Sequence, residues 1–173
     1  MTNFDLFTKE KDFAPFAEAA VAEGKNAAQS QSYGPEARGG ASKSEVIIDT
    51  EPIFHPHVTR PDVVLAMTQK AADKYYSDLG PEGLLVLDEQ LVPEPPDFPR
   101  TVRIPITKLA IEEVGKPLFA NIVALGAMVR LTGLVDFETI KQSVARRVPP
   151  KTVEQNMKAL QIGWDAAAQA EMY

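Results

Sequence analysis

Between Tyr33 and Gly40 the chain reads Tyr-Gly-Pro-Glu-Ala-Arg-Gly-Gly, which crowds several kinds of chemistry into one short stretch. Its glycines permit positive φ and let a backbone approach a ligand or a partner closely. Arg38 offers a planar fork of donors suited to a carboxylate or a phosphate. Tyr33 and Glu36 add a hydroxyl and an acceptor. A solvated turn between two strands has the same composition, so spacing alone leaves both readings open.

Other reactive residues are less well placed. His55 and His57 flank Pro56. A His-x-His pair binds metal when both rings face one side of a strand. Pro56 argues against such a strand, and no third ligand is evident, so a surface loop is expected. Ser42 and Ser44 alternate with Lys43, but no nearby histidine supplies the base a serine nucleophile needs. Asp88, Glu89, Glu112 and Glu113 are candidate acid–base groups whose separations the sequence does not fix; exposed helix faces account for most of them. Arg130, Arg146, Arg147 and Lys151 are the one basic concentration, read as a solvated or partner-facing helix surface. Trp164, with Leu160 and Ala167 or Ala168, makes an apolar stripe expected to pack into the core, a subunit contact being the alternative. No residue receives a catalytic role, and no metal site is expected.

The elements that must position these groups follow from composition and periodicity. The chain has 173 residues, 45% hydrophobic, with 18 basic and 24 acidic side chains, net −6, and no cysteine. A single domain over residues 1–173 is expected, burying roughly 70% of its unfolded surface. Without cysteine the chain supplies no disulfide, no thiolate zinc site and no cluster ligand. Its acidity argues against a nucleic-acid footprint. Met1–Asp5 lacks the features of a signal peptide. The apolar run Leu118–Val135 is interrupted by Asn121, Arg130 and Thr132 and fails as a membrane span. A cytoplasmic location is the expectation.

Phe4, Leu6 and Phe7 suggest a short strand. Asp12 and Pro15 open a helix whose Phe13, Phe16, Ala17, Ala20 and Val21 share one face, with Gly24 at its end. Residues 25–32 have weak strand character, whereas Ser42–Asp49 reads as a strand. Asp62–Met67 and Gly83–Leu87 are continuous apolar runs, as strands buried on both faces require. Thr68 caps a helix that runs to Leu79. The four prolines of Val92–Pro99 mark an extended connector. Val102–Ile106 is expected as a strand and Thr107–Val114 as a helix. Further helices follow from Pro117 to Thr132, over Phe137–Val148 behind the Asp136 cap, and over Lys151–Met172. The expected fold is α/β: three-layer α/β/α, with a mainly parallel sheet and a helical C-terminal third.

The block Gln29-Ser-Gln-Ser-Tyr-Gly-Pro-Glu-Ala-Arg-Gly-Gly-Ala-Ser-Lys-Ser-Glu-Val-Ile-Ile48 resembles a segment of the gamma subunit of 2-oxoacid:ferredoxin oxidoreductases, the 2-oxoglutarate type more than the pyruvate type. Likeness extends over Ala19–Lys25, Asp62–Met67, Leu84–Asp88 and Asn121–Gly126, roughly residues 17–165. A block of this length in context says far more than a lone glycine motif. One departure stands out. The family opens with a strand, a Gly-x-Gly-Gly-Gln-Gly loop and a helix. That loop would fall near Phe4–Lys9, where there is no glycine. An amide cradle for an anion needs those glycines, so no phosphate-binding role is carried over. Either the loop has diverged or a segment around Lys9–Phe13 is missing from the sequence.

The resemblance implies a gamma subunit in a complex that turns a 2-oxoacid and coenzyme A into acyl-CoA and carbon dioxide, passing electrons to ferredoxin. It implies alpha and beta partner subunits, with or without a delta subunit, and cofactors held there: thiamine diphosphate and iron–sulfur clusters, none on this chain alone. Tyr33, Gly34, Glu36, Arg38, Gly39 and Gly40 are then expected to contact a subunit or shape the coenzyme A or thiamine-facing cleft. Two alternatives are a stand-alone α/β binding or scaffold protein derived from such a subunit, and the gamma-type subunit of an indolepyruvate or branched-chain oxoacid enzyme.

Overall fold

The computed structural model describes residues 2–7, 13–33 and 42–170. Among the described residues six strands, β1 (Thr2–Phe7), β2 (Asn26–Tyr33), β3 (Ser42–Asp49), β4 (Val63–Ala66), β5 (Leu84–Asp88) and β6 (Thr101–Ile104), form one sheet. They lie side by side in the order β2-β3-β1-β4-β5-β6. β1, β4, β5 and β6 are parallel to one another. β3 lies antiparallel to β1, and β2 antiparallel to β3. An antiparallel pair thus extends one edge of a four-stranded parallel unit.

Two-sided burial explains the apolar runs. In β4, Val63 and Leu65 enter one core while Val64 and Ala66 enter the other. β5 divides in the same way, with Leu84 and Val86 on one side and Leu85 and Leu87 on the other. Side chains alternate with period two, so a strand covered on both faces has no polar positions to spare. The two covering layers are unequal. The larger carries α1 (Ala14–Ala22), α4 (Ala120–Thr132), α5 (Phe137–Arg147) and α6 (Val153–Gln169), through Phe16, Val123, Met128, Ile140, Val144 and Leu160 among others. On the smaller side, α2 (Gln69–Tyr75) contributes Ala71 and Ala72, joined by Leu79 and Val92. The three-layer α/β expectation and the helical C-terminal third are both present.

Local signals set the ends. The Thr68 hydroxyl accepts from the Ala71 amide at 3.3 Å and opens α2. Asp136 accepts from Glu138 N at 2.9 Å and opens α5. Such caps satisfy donors that the helix itself leaves unpaired. Gly133, at φ +62°, closes α4 in the left-handed conformation that glycine adopts without strain.

Several boundaries differ from the sequence expectation. β6 spans Thr101–Ile104 rather than reaching Ile106. Pro105 lacks the N–H a ladder needs, and Ile106 already starts α3 (Ile106–Leu109). The expected helix over Thr107–Val114 divides into α3 and a wider π turn, Ala110–Val114. α2 tightens into a 3₁₀ turn at Tyr76–Asp78, and α6 ends at Gln169 with Ala170 extended. β2 forms from a sequence with few strand-favouring residues because it pairs with β3 from Asn26↔Asp49 to Tyr33↔Ser42. At the N-terminus, β1 (Thr2–Phe7) takes in Phe4–Phe7 of the stretch where the glycine loop would fall, and Thr8 and Lys9 lie outside the described residues. Asp12 lies there too; Phe13 stands at the N-cap with no side-chain cap, and Pro15 is in the first turn as expected. Among the described residues no helix is long and apolar enough to cross a membrane.

Candidate functional site

Because four strands run in parallel, their C-terminal ends share one edge of the sheet. In open α/β sheets ligands bind outside that edge. Here the residues just past β4, β5 and β6 are Met67, the loop at Leu91, and Thr107 on α3. They converge with Pro117, Leu118, Ala120 and Asn121, at the start of α4, around a cleft of about 370 Å³. Its wall is mostly apolar, with Thr107 and Asn121 as its polar lining residues. Leu118 is 59% exposed and Leu91 41%, which is unusual for large apolar side chains at a concave mouth. The arrangement can bind and orient.

Asp88 lies at the end of β5, beneath this cleft, and is fully buried. Its Oδ1 accepts from the backbone amides of Gln90 at 3.0 Å and Leu91 at 3.3 Å. Its Oδ2 accepts from Thr107 N at 2.8 Å and Thr107 Oγ1 at 2.6 Å. A buried carboxylate is expensive unless its lone pairs are occupied, and these four bonds occupy them. Arg103 on β6 holds the same loop from another direction, donating from Nη2 to the carbonyls of Glu89 at 3.2 Å and Val92 at 3.4 Å. Pro105 leaves α3 without a side-chain cap of its own, and Asp88 supplies one from β5.

The residues singled out from sequence distribute as follows. Tyr33 ends β2, its backbone paired with Ser42; Gly34, Glu36, Arg38, Gly39 and Gly40 lie outside the described residues. The stem below them is held by a small polar network. The Ser30 hydroxyl donates to the Glu45 carboxylate at 2.7 Å, and Lys43 pairs with Glu45 at 2.7 Å. Burial pushes the Glu45 carboxyl up, but the hydrogen bonds from Lys43 and Ser30, with the Lys43 and His57 charges, outweigh it and hold Glu45 below its ordinary 4.5. Ser44 is buried on the opposite face from Lys43, and Gln29 Nε2 donates to its hydroxyl at 3.4 Å.

His55 and His57 are exposed in an irregular loop, as Pro56 led us to expect. Among the described residues no three His, Cys, Asp or Glu side chains group as a metal site. Asp88 is buried and committed, whereas Glu89, Glu112 and Glu113 are exposed. Of the basic residues, Arg130 stacks 5.0 Å from the Trp164 ring, and Arg147 pairs with Glu18. Trp164 is half-buried against Phe137, ring centroids 4.6 Å apart, while Leu160 and Ala167 enter the core and Ala168 is exposed.

Sequence reasoning missed the cleft, although one signal was available: three strand ends in a parallel sheet must share an edge.

Comparison with known proteins bears on this geometry. The model of the pyruvate ferredoxin/flavodoxin oxidoreductase family matches residues 15–166. A 2-oxoglutarate synthase subunit KorC from Methanocaldococcus jannaschii is 45% identical over 152 residues, covering 86% of this chain and 81% of that protein. The gamma subunit of a keto/oxoacid ferredoxin oxidoreductase from Geobacter sulfurreducens superposes with a TM-score of 0.85 at 44% identity, covering 97% of this chain and 98% of that one. A 2-oxoglutarate:ferredoxin oxidoreductase from Magnetococcus marinus, solved with 2-oxoglutarate, coenzyme A and succinyl-CoA bound, contains the same fold at a TM-score of 0.85 and 21% identity. It is covered over 31% of its length, against 99% of this chain.

Proposed function

The chain belongs to the pyruvate ferredoxin/flavodoxin oxidoreductase family, and from that premise we propose that it is the gamma subunit of a complex oxidising 2-oxoglutarate to succinyl-CoA, with ferredoxin as acceptor. Its relatives are subunits of enzyme complexes, so other subunits are needed for the activity. The observation that carries the substrate is the 45% identity to a 2-oxoglutarate synthase subunit over most of both chains. That mutual coverage also favours a subunit over a stand-alone scaffold.

In this reading the chain binds and orients, and the redox steps belong to partners. It has no cysteine, so iron–sulfur clusters fit alpha, beta or delta subunits rather than this one. Thiamine diphosphate, which supplies the carbanion chemistry of decarboxylation, is assigned to the partners as well. Coenzyme A is the ligand we assign to the cleft between Met67, Leu91, Thr107 and Leu118. Support comes from the apolar wall, its place at the parallel strand ends, and the coenzyme A bound in the Magnetococcus complex. The loop Tyr33–Gly40, carried on the β2–β3 stem, would bring Arg38 and Glu36 to the same ligand or to a neighbouring subunit. The domain spans residues 1–173 and works in the cytoplasm.

The substrate is tested by kcat/KM of the purified complex on 2-oxoglutarate, pyruvate, 2-ketoisovalerate and indolepyruvate. At least a tenfold preference for 2-oxoglutarate over each is expected, equivalent to about 1.4 kcal/mol. A preference for any of the other three overturns this substrate.

A further inference from the structure

We propose that Asp88 is a positioning residue for coenzyme A: its buried carboxylate sets the spacing of the Leu91 and Thr107 walls, and so the affinity of the cleft. This rests on the reading that coenzyme A occupies that cleft. Asp88 joins two connections. Its Oδ1 fixes the turn after β5 through Gln90 N and Leu91 N. Its Oδ2 fixes the first turn of α3 through both donors of Thr107. Leu91 and Thr107 are walls of one cleft, and they come from separate connections. A single side chain therefore links Leu91 and Thr107, whose connections the backbone joins only further back, where Glu89 N donates to the Ile104 carbonyl at 2.9 Å.

A carboxylate is the side chain that suits this place. All four partners are donors, and a carboxylate is acceptor-only on both oxygens. Asparagine has the same shape, but its NH₂ would face a pair of donors. The Thr107 hydroxyl can rotate to accept from it; the amides of Thr107, Gln90 and Leu91 cannot. One wall or the other must then move. Arg103 does not replace the link, because it reaches only the Glu89 and Val92 carbonyls on the Leu91 side.

The test uses the assembled complex carrying Asp88→Asn, Thr107→Val, Thr107→Ser or Leu118→Trp, assayed for coenzyme A and 2-oxoglutarate at saturating co-substrate. Asp88→Asn is expected to raise the coenzyme A KM about tenfold while kcat and the 2-oxoglutarate KM stay within about twofold. Thr107→Val is expected to move the coenzyme A KM in the same direction, and Thr107→Ser to recover most of that loss. Leu118→Trp narrows the mouth without touching Asp88, and reports on the cleft reading alone. If it raises the coenzyme A KM while Asp88→Asn and Thr107→Val do not, positioning by Asp88 is overturned. If Leu118→Trp has no effect, the cleft reading falls first. Should Asp88→Asn fail to assemble, the Thr107 pair decides: equal KM values for valine and serine overturn the proposal. Equal loss in both KM values and kcat assigns Asp88 a general structural role and overturns it too.

Discussion

Replacing Gly126 or Gly163 with alanine should destabilise this protein, although the same change elsewhere in a helix stabilises it. An alanine in an ordinary helix interior gains about 0.5–1 kcal/mol over glycine by reducing the freedom of the unfolded chain. Here α4 and α6 cross at these two glycines. A Cβ at Gly126 would meet the Leu160 carbonyl, with Trp164 N at 3.0 Å; one at Gly163 would meet the Val123 carbonyl, with its carbon at 2.7 Å. Both obstacles are backbone, so no side chain can rotate away. The helices must separate by roughly an ångström. Such a gap forfeits roughly a quarter to a half of each van der Waals contact across it. The residues that lose contact include Val123, Ala124, Ala127, Ala159 and Leu160, all fully buried. Overpacking of this kind costs about 1–3 kcal/mol. Backbone obstacles at both glycines put the cost near the middle of that range or above, about 2–2.5 kcal/mol, so with the propensity gain of about 0.5–1 kcal/mol set against it each single variant should lose about 1–2 kcal/mol. For a chain of this size that lowers Tm by about 2–8 °C. The double variant should lose less than the sum, since the first separation makes room for the second Cβ. Thermal unfolding followed by circular dichroism measures all three. A Tm at or above that of the parent protein would refute the close crossing.

The folded pKa of Glu45 lies below its ordinary 4.5, so its carboxylate contributes stability that is fully present well above that value. The contribution is lost as the pH falls below 4.5 and through the lowered value. Urea midpoints of the parent and Glu45→Gln should therefore differ at neutral pH and converge in acid; a constant difference contradicts the Lys43–Glu45–Ser30 network. In the assembled complex, Arg38→Ala should raise the KM of coenzyme A or 2-oxoacid about tenfold, or weaken subunit association. Unchanged kinetics together with unchanged assembly would leave the loop without a role.

How much was legible in the sequence depended on whether a feature is local. The runs Val63–Ala66 and Leu84–Asp88 read as two-sided strands, because burial on both faces removes every polar position from Val63 to Leu87 within them. Thr68, Asp136 and Gly133 read correctly because caps and left-handed ends are decided within one turn. β2 was harder, since Asn-Ala-Ala-Gln-Ser-Gln-Ser has little strand propensity and is held by its register with β3. The cleft's lining was not legible, although a parallel sheet implies an edge where strand ends meet. Met67, Leu91, Thr107 and Leu118 are scattered along the chain, and only the parallel order β1-β4-β5-β6 brings three strand ends to one edge. Asp88 looked like one carboxylate among several, since its four donors come from two connections that the sequence does not show to be neighbours.

The central claim is that this chain completes a coenzyme A-dependent 2-oxoacid oxidoreductase. It is tested most directly by purifying the complex from a host lacking this chain and adding the purified chain back. Acceptor reduction by 2-oxoglutarate and coenzyme A is the readout. Succinyl-CoA formation is expected to be lost without the chain and restored by it. Full activity in its absence, or a chain that purifies alone and binds no partner subunit, would contradict the account.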